Sequence, residues 1–133
     1  MYILGVSDHF MIAHSLAGVF FGPAQRLHGA TYEVDIEIRC PELGPHQVVM
    51  DIGALRTLLR EVLAPLDYQN LDEHPAFPRR TSTTERVATH VADQLAERIL
   101  AAPDEVRPPA GATLRVLLRE SPVAYAAYER ELG

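Results

Sequence analysis

The sequence predicts an α+β domain in which two helices cover one face of a four-stranded antiparallel sheet, in the chain order ββααββ. Two alternating apolar–polar segments, two helical periodicities and two aliphatic segments near the C-terminus support this fold class. The 133 residues suffice for one hydrophobic core, and 47% apolar residues is ordinary for a globular domain. No repeat or composition break divides the chain, so we expect a single domain over 1–133.

The first part of the chain predicts two strands. Residues 2–14 are rich in tyrosine, isoleucine, valine and phenylalanine, which favour strands. Residues 15–27 contain two glycines and a proline, which predict a loop. Residues 30–40 alternate between apolar and charged side chains, which indicates a strand with one buried and one exposed face. Residues 41–46 then predict a turn.

The middle of the chain predicts two helices. Asp51 can cap a helix over 52–64, in which leucines and a valine recur at helical spacing. Ser82, with Glu85 three residues later, matches a capping box for a second helix, which a cluster of prolines then ends. The proline-containing segment 65–81 predicts an irregular connection between the helices.

The last part of the chain predicts two further strands, over 113–118 and 123–128, separated by a Ser-Pro turn. An open four-stranded sheet has two unpaired edges, and long edges favour pairing with a neighbouring copy of the chain. We therefore expect the sheets of several subunits to join edge to edge in a ring.

Composition and charge exclude several functions. The net charge of −6 disfavours nucleic acid as a partner. No apolar segment could cross a bilayer, and the first residues show no signal-peptide pattern, so we expect no membrane partner and a cytoplasmic location. All twelve basic residues are arginines, which excludes a lysine Schiff base. For Cys40, the one cysteine, we expect a half-buried strand residue rather than a catalytic thiol.

Several short motifs, in order along nearly the whole chain, carry a family resemblance. The motifs are Phe10-Met11-Ile12-Ala13-His14, Leu27-His28-Gly29-Ala30-Thr31-Tyr32, Val49-Met50-Asp51-Ile52, Leu66-Asp67-Tyr68-Gln69-Asn70-Leu71-Asp72, Ser82-Thr83-Thr84-Glu85-Arg86-Val87-Ala88 and Arg119-Glu120. Through them the chain resembles the 6-pyruvoyl tetrahydropterin synthase family, which includes the 6-carboxytetrahydropterin synthases of queuosine biosynthesis. The resemblance implies the tunnelling fold, a homo-hexamer built as a dimer of trimers, and active sites at subunit interfaces.

The zinc site that the resemblance implies is incomplete. The family pattern has one histidine ligand at the end of the first strand and a His-Gly-His that opens the second. His14 and His28 match two ligands, whereas Ala30 occupies the third position and has no donor atom. Catalytic zinc sites usually have three protein ligands. We therefore expect no cofactor, with any zinc held weakly, and two partly buried histidines hydrogen-bonded to each other or to water.

The proton-transfer residues that the resemblance implies are also altered. The family has a cysteine before the second strand and an Asp-His pair between the helices. No cysteine precedes His28, Asp67 matches the aspartate, and Tyr68 stands at the histidine position. Tyrosine titrates at about pH 10, so it replaces a histidine poorly as an acid or base near neutral pH. Asp67 and Tyr68 are nevertheless the candidate catalytic residues.

The substrate-binding residues are retained. The resemblance implies that a glutamate ending the third strand and a Thr-Thr-Glu opening the second helix hold a pterin ring. Four residues match these positions: Glu120, Thr83, Thr84 and Glu85. A carboxylate can accept two parallel N–H bonds from a 2-aminopyrimidinone edge. The alternatives are a capping role alone for Glu85 and a solvated strand-end charge for Glu120.

Three functions stay open at this point, each with a small heterocyclic molecule as the partner. The first is a divergent enzyme that binds a pterin-like heterocycle and catalyses a metal-independent lyase, aldolase-like or cyclisation step. The second is a non-catalytic homologue that keeps the binding pocket. The third, which the altered residues disfavour most, is the ordinary family synthase with a rebuilt zinc site.

Overall fold

Four long strands, one two-residue strand and two α-helices make up the fold. The computed structural model describes residues 1–133. In chain order the elements are β1 (Tyr2–His14), β2 (His28–Cys40), α1 (Ile52–Leu63), β3 (Gln69–Asn70), α2 (Thr84–Ala101), β4 (Thr113–Ser121) and β5 (Ala124–Glu131). Two 3₁₀ segments, Val19–Gln25 and Leu71–Glu73, lie in the connections. The predicted α+β class is confirmed, as is the chain order of the four long strands and two helices.

The sheet has the strand order β3-β1-β2-β4-β5. The four long strands pair antiparallel, and the β1–β2 register runs from Tyr2 opposite Cys40 to His14 opposite His28. The prediction of four strands is one short, because β3 pairs in parallel with only Ile12 and Ala13 of β1. A pairing of two residues leaves no periodicity in the sequence, so tertiary contact alone creates this strand.

One face of the sheet packs against both helices. The inward residues of β2 from Tyr32 to Ile38 are fully buried, as is the apolar face of α2 from Val87 to Ile99. The opposite face is polar: Ser7 Oγ donates to Asp35 Oδ1 at 2.6 Å, and charged side chains pair across β2, β4 and β5. This alternation is what the 30–40 pattern predicts, since successive strand residues face opposite sides.

The N-cap of α1 agrees with the residue predicted from the sequence, and the N-cap of α2 does not. Asp51 caps α1, accepting from the Ala54 N–H at 3.1 Å, as predicted. The capping box at Ser82 is wrong by one residue. Thr83 is the N-cap of α2, and its hydroxyl oxygen accepts from the Arg86 N–H at 3.2 Å. Ser82 is fully buried and bonds elsewhere.

Cys40 is fully buried, not half-buried, and its thiol donates to the Glu42 carbonyl. Strand β5 extends three residues beyond its predicted end at residue 128 because its charged C-terminal residues pair with β4. Neither helix combines the length and apolar character that a membrane crossing requires. β5 has no neighbour on its outer side, and β3 covers β1 only near its C-terminal end, so both sheet edges are open.

Candidate functional site

Strands β1 and β2 bring His14 and His28 together. The two residues are register partners, and their ring centroids lie 4.6 Å apart in an edge-to-face arrangement. His14 Nδ1 lies 2.9 Å from the Ser82 carbonyl oxygen and 3.0 Å from its Oγ, while His28 Nδ1 lies 2.8 Å from the Arg26 carbonyl oxygen. The sequence predicts partly buried rings bonded to each other or to water; His14 is instead buried, and both rings bond to backbone carbonyls rather than to each other. Because a carbonyl only accepts, both rings carry a proton on Nδ1, which in a neutral imidazole leaves Nε2 as the acceptor.

His14 is kept neutral by its surroundings. Burial lowers its pKa below the ordinary 6.5, and the neighbouring His28 lowers it further. The bond to the Ser82 carbonyl and the charges of Asp72 and Glu120 oppose this shift. The net lowering favours the neutral imidazole with its free Nε2 lone pair.

The residues around this pair do not fit a three-donor zinc site. Ala30 lies on the same face of β2 as His28, two residues further along, and a methyl group cannot donate to a metal. His9 is exposed on the opposite face of β1 and offers no substitute. Nowhere in the chain do three His, Cys, Asp or Glu side chains come together as a metal site would require. Two neighbouring imidazoles therefore remain without the third donor.

Glu120, Thr84 and Tyr32 form a hydrogen-bonded chain on the helix side of the sheet. The Thr84 hydroxyl donates to Glu120 Oε2 at 3.1 Å, and the Tyr32 hydroxyl lies 3.4 Å from Thr84 Oγ1. Since the Thr84 proton goes to the carboxylate, the Tyr32 hydroxyl is the donor in the second contact. Two of the residues predicted to hold a ring are thus brought together.

A β-bulge and burial determine the orientation and protonation of these three hydrogen-bonded residues. Glu120 lies at the register shift between Arg119 and Ser121, a feature that redirects a side chain from a regular ladder. Burial raises the pKa of Tyr32 above its ordinary value, the charges of Glu120 and Glu85 raise it further, and the bond to Thr84 opposes them. Tyr32 therefore stays a neutral hydrogen-bond donor beside an oriented carboxylate.

The other two predicted ring-binding residues lie at the start of α2. The Thr83 hydroxyl serves as the N-cap. Glu85 lies in the first helical turn, is exposed, and makes no side-chain hydrogen bond within the chain. The capping box therefore does not explain Glu85, although an acidic residue in the first turn still complements the helix dipole. A ligand contact for Glu85 stays a prediction.

Asp67 and Tyr68 lie at the β1–β3 edge of the sheet. Asp67 Oδ1 accepts from the Met11 N–H at 2.9 Å, and Oδ2 lies 3.4 Å from the Arg60 guanidinium. Tyr68 is 78% exposed, has a left-handed φ of 60°, and donates its N–H to the Met11 carbonyl at 2.7 Å. No hydrogen bond or ion pair links either residue to the histidine pair or to Glu120. Within one chain, the predicted catalytic and binding residues are separate.

Sequence reasoning missed the residues that hold the loop 15–27, which we call the Arg80 clasp. The Arg80 guanidinium donates to three acceptors near the two ends of this loop: Ser15 Oγ at 2.8 Å, Leu16 O at 3.1 Å and Gln25 O at 2.6 Å. Asp72 accepts from both the N–H and the hydroxyl of Ser15. Because His14 directly precedes this loop and His28 directly follows it, the clasp holds the loop ends next to both histidines. An isolated Arg-Arg pair in the sequence gives no signal for such contacts.

The site is shallow in a single chain. The principal clefts of the surface, with volumes from about 230 to 610 Å³, include neither histidine of the pair nor Glu120. Most small-molecule sites are concave and bury most of their ligand. One chain alone therefore provides the polar groups of a site but little enclosure.

Comparisons with known proteins agree on one family. The family model for 6-pyruvoyl tetrahydropterin synthase matches residues 3–131. A protein of Archaeoglobus fulgidus, named provisionally as a 6-carboxy-5,6,7,8-tetrahydropterin synthase, is 30% identical over 96 residues, which are 72% of this chain and 77% of that protein.

Solved structures of the same family share the fold. The 6-pyruvoyl tetrahydropterin synthase of Caenorhabditis elegans has a TM-score of 0.78 at 24% identity, covering 98% of this chain and 96% of that one. The enzyme of Plasmodium falciparum has a TM-score of 0.72 at 19% identity, covering 98% of each chain. At this level of identity the likeness shows the fold alone, and it confirms the predicted tunnelling fold.

Proposed function

Because this chain belongs to the 6-pyruvoyl tetrahydropterin synthase family, we propose that it binds a pterin-like heterocycle and acts on it in a metal-independent, lyase-type reaction. One observation carries the binding part of the proposal, namely the hydrogen bonds that join Glu120, Thr84 and Tyr32. Thr84 lies two residues after Ser82, which bonds to His14. The family supplies the general expectation of a pterin-related, synthase-like function. The altered residues supply the reason to expect changed chemistry.

The proposed anchor for the ring is Glu120. Its Oε2 is held by the Thr84 hydroxyl, whereas Oε1 has no partner in the chain. A carboxylate that is already oriented loses less conformational freedom when it accepts N–H bonds from an aminopyrimidinone edge. Hydrogen bonds to a charged acceptor are worth about 1.5–3 kcal/mol each, so this group can dominate the affinity for such a ring.

The proposed role of the histidine pair is to receive the rest of the ligand. His14 and His28 each present an Nε2 acceptor, and both Nδ1 atoms are fixed by carbonyl groups. Hydroxyl groups on a ligand side chain can donate to such acceptors without a metal. The neutral state of His14 suits this role, because an imidazolium would have no acceptor left.

Asp67 and Tyr68 remain the proposed acid and base, and their position restricts how they could act. Both lie at the open β1–β3 edge rather than beside the histidine pair. We propose that they serve a ligand held by a neighbouring copy in a homo-hexamer of two trimers. The open edges at β1 and β5 and the shallow site of one chain support this arrangement.

A non-catalytic binding protein is the second candidate, and one contact favours it. Both oxygens of Asp67 already have partners, the Met11 N–H and the Arg60 guanidinium, so neither oxygen is free to contact a ligand. The ordinary synthase with a rebuilt zinc site is the weakest candidate, because the chain offers two oriented imidazoles but no third donor.

Binding of 7,8-dihydroneopterin to the full chain tests the first part of the proposal. Glu120→Gln should weaken binding about 10- to 100-fold, since it removes the charge from the acceptor. Glu33→Gln is the matched control, because Glu33 is an exposed carboxylate on the opposite face of the sheet. Equal affinities of wild type and Glu120→Gln, or no measurable binding by wild type, would disprove the assigned anchor.

Turnover of dihydroneopterin triphosphate in the presence of a zinc chelator separates the two candidates. If the protein is an enzyme, wild type should release product without added zinc, and Asp67→Asn should abolish turnover while leaving binding intact. If wild type binds the compound but releases no product, the lyase-type step is wrong and the binding-protein alternative stands.

A further inference from the structure

A second polar cleft lies beside the first half of α2, away from the histidine pair. It has a volume of about 420 Å³, and its polar lining consists of Arg79, Thr81, Arg86, Thr89, His90 and Asp93. We call it the α2 cleft. None of these side chains contacts His14, His28 or Glu120, so a ligand in the α2 cleft would be independent of the proposed function.

Two positive charges in the α2 cleft have no ion-pair partner. The guanidinium groups of Arg79 and Arg86 make no hydrogen bond or ion pair with the rest of the chain. Asp93 is the one carboxylate in the lining, and it pairs with Arg130 at 2.9 Å rather than with either arginine. The His90 ring also has no hydrogen-bond partner, so the cationic and titratable groups of the cleft outnumber its one carboxylate.

The threonine hydroxyls do not change this balance. Thr81 Oγ1 donates to the Pro78 carbonyl at 2.7 Å, and Thr89 Oγ1 donates to the Glu85 carbonyl at 2.9 Å. Their protons are therefore committed to the backbone. The donors left free for a ligand are the N–H groups of the two guanidiniums and of His90.

The location of Arg86 is electrostatically unfavourable for a cation that has no ion-pair partner. Arg86 lies in the first turn of α2, where the helix dipole favours an anion and disfavours a cation. The chain as a whole has 18 acidic against 12 basic residues, so carboxylates are not scarce. The two adjacent arginines that precede α2 have different surroundings: Arg80 belongs to the clasp, and Arg79 lines the α2 cleft.

We propose that the α2 cleft binds a phosphate-like dianion, either inorganic phosphate or the phosphate group of a small ester. Two guanidinium groups can grip tetrahedral oxyanions through paired N–H donors, which a single ammonium cannot do. The volume exceeds that of a bare phosphate and leaves room for a small organic group. The helix dipole adds to the attraction.

His90 should couple anion binding to proton uptake. Burial lowers the pKa of His90 below the ordinary 6.5, and the adjacent His74 ring, 5.6 Å away, lowers it further, while Asp93 opposes the shift. Arg79 and Arg86 line the same cleft as this ring. A bound dianion would supply the missing negative charge, so affinity should rise as the pH falls.

Calorimetric titration of the full chain with sulfate, at constant ionic strength, tests the site. Sulfate does not titrate between about pH 5 and pH 9, so any pH dependence must come from the protein. Arg79→Gln and Arg86→Gln should each weaken binding by about tenfold or more. Arg39→Gln, which removes an exposed arginine from the other side of the sheet, should leave affinity unchanged.

His90→Gln should abolish the gain in affinity between about pH 8 and pH 5.5. Arg86→Lys keeps the charge but loses the paired donors, so intermediate weakening is expected, and this variant also replaces any glutamine variant that does not fold. A phosphate monoester that binds more tightly than inorganic phosphate identifies the ester as the natural group, and equal affinities identify inorganic phosphate. The absence of saturable sulfate binding, or equal losses in Arg39→Gln and Arg86→Gln, would overturn the proposal.

Discussion

Replacing Ala30 with histidine should create a zinc site, because two of the three donors are already in place. His14 and His28 are opposite each other in the β1–β2 register, with ring centroids 4.6 Å apart. Carbonyl groups fix both Nδ1 atoms, which is how metal-binding histidines are usually oriented. Residue 30 lies on the same face of β2 as residue 28, so a third ring would point toward the same region.

The size of the gain follows from zinc energetics. Structural zinc sites with four ligands bind with roughly 10–16 kcal/mol, or about 2.5–4 kcal/mol per ligand. One added donor is therefore worth about 10²- to 10³-fold in affinity. Position 30 is half-buried, and fitting an imidazole there costs about 1–3 kcal/mol in the folded chain. The zinc-free and zinc-bound forms of the folded variant both bear this cost, so it lowers stability rather than zinc affinity. Ala30→His should therefore bind zinc about 10²-fold more tightly than wild type.

Competition with a chromogenic chelator measures the zinc affinity of wild type and variant, and the visible spectrum of bound Co²⁺ reports tetrahedral coordination. The double variant Ala30→His/His28→Gln should return to wild-type affinity, since it again has two donors. A folded Ala30→His protein with unchanged zinc affinity would refute the claim that the two rings are oriented for a metal. Tight, stoichiometric zinc in wild type would show that an unrecognised donor completes the site.

Three further outcomes are expected from the cap of α2, the Arg80 clasp and His90. Thr83→Ala should cost about 1 kcal/mol of unfolding free energy, measured by urea denaturation, and Ser82→Ala less; the capping-box prediction requires the reverse order. Arg80→Gln should speed proteolysis and amide exchange in the loop 15–27 with little change in global stability, whereas Arg79→Gln should leave both rates unchanged. Equal protection of this loop in wild type, Arg80→Gln and Arg79→Gln would contradict the clasp. The pKa of His90 is lowered on folding, so the unfolded chain binds more protons than the folded chain at a pH below 6.5, the ordinary pKa of histidine. The free energy of unfolding should therefore fall as the pH drops through that range. His90→Gln should reduce the slope of the unfolding free energy against pH, and an unchanged slope would contradict this assignment.

Local patterns predicted the long elements well. The strict alternation of β2 and the helical spacing of α1 gave boundaries within two residues of those observed, because one buried face dictates each pattern. The N-cap of α2 was off by one residue for a physical reason. Ser82, Thr83 and Thr84 are all good caps, and Ser82 is instead used by His14, a contact between residues 68 positions apart.

The candidate site was predictable only where a side chain acts within its own motif. The motifs identified Glu120 and Thr84, but not that Tyr32 joins them in one hydrogen-bonded chain. They also singled out Asp67, but they gave no indication that Arg60 and the Met11 backbone occupy its oxygens. Such contacts depend on the folded geometry of distant segments, which no local periodicity encodes.

The segment from Arg80 to Thr84 serves a different neighbour at almost every position. Arg80 ties down the β1–β2 loop, Ser82 orients His14, Thr83 caps α2, and Thr84 holds Glu120. Adding or deleting one residue here would put every one of these side chains out of phase at once. Length variation during divergence is therefore expected to be tolerated elsewhere, and this stretch should change by substitution only.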